Sequence, residues 1–161
     1  MTPPSRSTRN DDDEASRSWL AVVRAYHLCS ELLALRLGAL GVRTAEHEIL
    51  MNLRREPGLS QQALAARCFT AKSHISHLLG EMASRGWVKR ESDPADGRVK
   101  RLVLTPSGSR MAERTAAVQV DVVALMTAGA TPVDLANVQA AMSEASRRLL
   151  AALARPAGRV E

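Results

Sequence analysis

The sequence predicts a mainly α-helical chain with one small β-hairpin, and three observations carry that prediction. Apolar residues recur at helical spacing through most of the chain. The period changes once, between Trp87 and Leu104, where two short strand-like runs flank a Pro/Asp/Gly turn. Gly and Pro punctuate the helical runs where helices should stop and start.

Residues 1–15 are polar, Pro-containing and acidic, and read as a disordered tail. From Ser16 to about Leu40, Trp19, Val22, Val23, Tyr26, Leu33 and Leu37 mark a helical stripe, widened by Leu20, Leu28, Leu32 and Leu35. A helix with so much apolar surface has to pack on more than one neighbour. Gly38 and Gly41 break it. Thr44 reads as the N-cap of TAEHEILMNLRRE, which ends at Pro57-Gly58. Ser60 caps the short helix SQQALAARC, and Thr70 reads as the cap of TAKSHISHLLGEMASRG. The apolar face of that last helix is Ile75, Leu78, Leu79 and Met82, and Gly86 closes it.

Trp87–Glu91 and Lys100–Leu104 are the two strands of the hairpin, joined by SDPADGRV. Thr105-Pro106 opens a helix to about Ala128, and Thr131-Pro132 opens another to about Ala154. Both are rich in Ala, Val, Leu and Met, more apolar surface than a thin three-helix unit needs, and a second copy of the chain is the simplest cover. The expected organisation is a tail over 1–15, a helical dimerisation region over 16–42 and 105–155, and a separate lobe over 43–104.

With 161 residues, 45% hydrophobic and 24% charged, the composition is that of an ordinary globular protein. No apolar run is long enough to span a bilayer, and the first residues have no apolar signal core, so a cytoplasmic location is expected. Cys29 and Cys68 form neither a disulfide framework nor a metal-ligand spacing and are expected as reduced thiols. The net charge is +5. Residues 54–101 hold ten Lys/Arg against five Asp/Glu, so this segment alone carries an excess equal to that of the whole chain. A basic patch confined to one segment points to a polyanion, because neutralising phosphates releases counterions.

Helix, short helix, turn, helix and two-stranded hairpin is the order of a winged helix-turn-helix, whose second helix enters the DNA major groove. The polar face of the third helix of this unit offers Thr70, Lys72, Ser73, His74, Ser76 and His77 to base edges and phosphates. Ser60 and Gln61 stand at the start of the short helix before it. On the hairpin, Arg98 is flanked by Lys100 and Arg101 and preceded by Asp93 and Asp96, with Arg90 on the first strand. An Arg at such a tip can enter a narrow minor groove, and Asp96 can hold its guanidinium in position.

The segment GWVKRESDPADGRVKRLVLTPSG resembles the wing of the MarR family of bacterial regulators. It matches the family pattern at Gly86, Val88, Arg90, Asp96, Arg98, Leu104, Thr105 and Gly108, while His77 stands where the family often has Arg. The resemblance covers roughly residues 18–154. It implies a homodimer joined through its first and last two helices, a pseudo-palindromic double-stranded DNA operator, and control, commonly repression, relieved by a small aromatic carboxylate effector. On that implication the effector lies between the first helix and the helix 44–55, with Tyr26, His27, Arg43 and His47 as candidate contacts. Two alternatives of other kinds stand beside it: redox control through Cys29, and a non-specific architectural DNA-binding protein. Peroxide-sensing members carry their reactive Cys further upstream, and His27, Cys29, Glu46 and His47 make a poor zinc set. The sequence has no nucleophile elbow, P-loop, HExxH or Gly-rich dinucleotide turn, so neither an enzyme nor a cofactor is expected.

Overall fold

The structure is a computed structural model that describes residues 6–68, 71–93 and 100–154. Its elements are α1 (Arg6–Gly38), α2 (Thr44–Arg55), α3 (Gln61–Arg67), α4 (Lys72–Ser84), β1 (Val88–Ser92), β2 (Lys100–Leu104), α5 (Pro106–Met126) and α6 (Pro132–Leu153). The strands pair antiparallel, Val88 with Leu104 through Ser92 with Lys100. A single bridge between Leu59 and Leu102 ties the α2–α3 connection to the hairpin.

Three starts differ from the sequence expectation. α1 begins at Arg6, so it runs through ten residues of the stretch expected as a disordered tail. A helix already nucleated by its packed part extends with one bond for each residue fixed and needs no fresh nucleus. Further along, Arg17 Nε donates back to the Asp13 carbonyl at 3.3 Å. At α2 the cap is Arg43, not Thr44, because the Glu46 carboxylate reaches back to the Arg43 N–H at 2.8 Å. The other caps fall as expected. Ser60 Oγ accepts from Ala63 N–H, Thr131 forms a capping box with Asp134 ahead of Pro132, and Gly86 takes φ +70° after Arg85. The third is α4, whose cap is Ala71 and not Thr70, a residue that lies outside the described residues.

The chain divides into two compact units at Val122–Val123. In the first, the core is built from Ile49, Leu50 and Leu53 of α2, Leu64 of α3, the stripe Ile75, Leu78, Leu79 and Met82 of α4, and Trp87, Val88 and Leu102 of the hairpin. Leu37 and Val42 before the expected 43–104 lobe and Ala112 after it belong to the same core, so that lobe does not stand alone. Each fully buried Leu, Ile, Val or Met among them contributes about 1.5–3 kcal/mol on burial. α1 leaves Trp19, Leu20, Val22, Tyr26 and Leu28 exposed. The second unit, the end of α5 with α6, has no buried residue on α6 and exposes Val133, Leu135, Val138, Met142, Leu149, Leu150 and Leu153 there. Among the described residues no helix is long and apolar enough to cross a membrane.

Candidate nucleic-acid interface

The apolar stripe of α4 is buried at Ile75, Leu78, Leu79 and Met82, which fixes the helix by packing and turns the opposite face outward. Lys72, Ser73, His74, Ser76 and His77 are all exposed there. The face thus holds one cation, two hydroxyls and two imidazoles, suited to phosphate oxygens and base edges. The first turn of α4 has no acidic residue to oppose an anion. Ser60, half-buried, is committed to its cap, while Gln61 Nε2 donates to the Lys72 carbonyl at 3.5 Å and joins α3 to the start of α4.

The hairpin carries its own charges. Arg90 is exposed on β1 and Lys100 on β2, where Nζ donates to Ser92 Oγ at 2.8 Å across the pair. Arg101 is held by Asp93 at 2.5 Å. The expected wing-tip residues Asp96 and Arg98 lie outside the described residues.

The candidate effector residues are not brought together. Tyr26 and His27 stack edge-to-face at 5.7 Å, both exposed. Arg43 is bonded to Glu46 at 3.0 Å and also to Glu81, so its guanidinium already faces two carboxylates of its own chain. His47 alone of the four lines a cavity of about 250 Å³, with Leu33 of α1, Thr44, Glu48, Met51, Asn52 and Arg55 of α2, and Gln119 of α5. Arg55 and Gln119 escaped the sequence reading. Gln119 lies 72 residues from His47, and nothing in the local pattern links them.

His47 is 5% exposed; Nε2 bonds Gln119 Oε1 at 3.1 Å and Nδ1 has no partner among the described residues. Burial pushes the imidazole below its usual range, against a smaller opposing effect of Gln119. The folded chain therefore resists a proton that the unfolded chain takes up near pH 6.5. Stability is kept above that pH and falls as the pH drops below it. Melting from pH 7.5 to 5.5 should show a declining Tm, and His47→Gln should flatten the decline; an equal decline in both proteins would refute the assignment. Burial also raises the neighbouring Glu48 carboxyl. The Cys68 thiol is pushed up to about 11 by burial and by the Glu48 charge, which leaves it a poor thiolate source.

An exposed polar helix face set beside a two-stranded hairpin defines a winged helix-turn-helix protein. The family model for MarR matches residues 40–99. The transcriptional regulator HosA of Escherichia coli O111:H- is 32% identical over 66 residues, 41% of this chain and 49% of HosA. Over this segment the chain is similar to the MarR family, and it spans about half the length of the curated HosA relatives it matches. AbsC, a MarR family regulator from Streptomyces coelicolor, superposes with TM-score 0.76 at 23% identity, covering 94% of this chain and 99% of AbsC. A Cys-to-Ser mutant of MarR from E. coli, solved in complex with operator DNA, superposes with TM-score 0.71 at 20% identity, covering 83% of this chain and 96% of that one. At these identities the two structures establish the fold.

Proposed function

We propose that the chain is a DNA-binding transcriptional regulator, working as a homodimer on a pseudo-palindromic operator and acting as a repressor. The observation that carries this reading is the face of α4: Lys72, Ser73, His74, Ser76 and His77 outward, the opposite stripe wholly buried. The basic hairpin beside it and the operator DNA bound by E. coli MarR support the same reading. Two-fold pairing is supported by the apolar side chains that α1 and α6 leave exposed, more than a monomer is expected to carry in contiguous patches.

The effector in this reading is a small aromatic carboxylate seated in the cavity of His47, with Gln119 as a polar neighbour and Arg55 for the carboxylate. It acts only through its differing affinity for two arrangements of the dimer, so it lowers operator affinity and operator lowers its affinity by the same factor. Selection from a random duplex library should enrich a site with two half-sites roughly 34 Å apart. Light scattering should give twice the chain mass. A thermal-shift screen of small aromatic carboxylates should yield a compound that releases that duplex. Enrichment of no duplex would sink the DNA-binding reading; enrichment without release by any such acid would sink only the effector class.

A further inference from the structure

One buried carboxylate links the start of α2 to the end of α4. Glu46 of α2 is 1% exposed. It accepts from the Arg43 N–H at 2.8 Å, from Arg43 Nη2 at 3.0 Å and from Arg85 Nη1 at 3.2 Å. Arg85 caps the end of α4, donates Nη2 to the Gly41 carbonyl at 2.8 Å, and lays its guanidinium 3.6 Å over the Trp87 ring. Arg43 also pairs with Glu81 on α4, and Glu81 stands 3.7 Å from Nε2 of His77, one turn back on the exposed face.

These bonds are directional, and several of them cross from the start of α2 to α4. Leucines can pack α4 against α2 in more than one roll or slide; a carboxylate shared by two guanidinium forks cannot be satisfied in many. Taking a charge out of water costs free energy that its pairing only offsets, so such a cluster is a weak source of stability and a better source of unique geometry. The face of α4 is useful for base reading only if its side chains meet the groove in one register, since a small misplacement breaks a bidentate contact.

We propose that Glu46 is a positioning residue for base recognition: through Arg85, and through Arg43 and Glu81, it fixes how α4 sits on α2 and hence how His77 and its neighbours meet the operator. The role rests on the DNA-binding reading above. It makes a prediction opposite in sign to simple electrostatics. Removing an acidic side chain from a DNA-binding surface should raise affinity for any duplex, because one repulsion of the phosphates is lost. A positioning role requires that it lower affinity for the selected duplex.

The test uses the full chain, the duplex enriched by the parent, and a scrambled duplex of equal length. Glu46→Gln and Glu81→Ala should each lower the ratio of selected to scrambled affinity about tenfold, the scale of one lost base contact. Scrambled affinity should stay level or rise. Glu81→Gln, which keeps an acceptor for Arg43, should stay close to the parent. Folded variants that retain the parent ratio, or that lose affinity for both duplexes alike, would overturn the role. If Glu46→Gln fails to fold, the pair of variants at half-buried Glu81 decides by the same criteria. A parent chain that enriches no duplex overturns the DNA-binding reading and this role together, whereas a preserved ratio overturns this role alone.

Discussion

Gly108→Ala should destabilise the first unit by about 3 kcal/mol or more, at or beyond the upper end of what overpacking a close contact costs. Gly108 is buried in the first turn of α5, and a Cβ placed on it would sit 1.9 Å from the Trp87 carbonyl oxygen and 2.8 Å from its carbon. Both are backbone atoms, so no rotamer change relieves the overlap. The Trp87 carbonyl is itself engaged, accepting from the Thr105 N–H at 3.0 Å. Thr105 Oγ1 in turn donates to the Gly86 carbonyl at 2.5 Å and accepts from the Gly108 N–H at 3.0 Å. Moving α5 away to admit the methyl therefore loosens the joint between α4, the hairpin and α5. A loss of that size lowers Tm by roughly 6–12 °C in a chain of this length. Gly80→Ala is the control: nothing lies within 4 Å of its Cβ position on exposed α4, and it should be neutral or stabilising by about 0.4–1 kcal/mol. Calorimetry of the two variants checks both signs; a Gly108→Ala melt equal to that of the parent would show that α5 approaches Trp87 less closely than this structure has it.

The sequence pattern carried most of the fold because the fold is locally encoded there. Ile75, Leu78, Leu79 and Met82 sit at spacings that only a helix puts on one face, and the same spacing leaves Lys72, Ser73, His74, Ser76 and His77 together on the other. The outward face of α4 was thus legible from the chain alone. Ser60 and Thr131 were legible as caps because capping is a bond between residues three apart.

What the sequence hid are bonds between distant residues. Glu46 reads as a first-turn acid answering the helix dipole, and its partner Arg85 lies 39 residues away at the end of another helix. The same holds for His47, whose place in the helix was clear while its burial against Gln119 was not. Arg43 looked like a free cation beside a pocket, and only the approach of α4 brings Glu81 to it. The start of α1 was misjudged because a polar, Pro-containing run lacks the apolar period by which a helix is read, although a helix nucleated further along can extend through it.

Replacing His74 and His77 together by Ala should cost at least about thirtyfold in affinity for the selected duplex and leave the melting temperature nearly unchanged. Both side chains are exposed on α4 and neither touches the core, so stability should move by no more than about 0.5 kcal/mol. A side chain that reads a base edge is worth about 1–3 kcal/mol, and the expected loss is the sum of two such contacts where each imidazole reads its own base pair. Even the lower bound, about 2 kcal/mol, is roughly thirtyfold. The loss should fall on the selected duplex more than on a scrambled one, because base contacts carry sequence while phosphate contacts do not. Lys72→Ala should behave differently, weakening both duplexes alike and reducing the slope of log affinity against log salt by about 1. Titration of the selected and scrambled duplexes at several salt concentrations separates these outcomes. A double variant that binds the selected duplex like the parent would show that α4 does not present these imidazoles to the bases, and the recognition surface would then have to be sought on the hairpin.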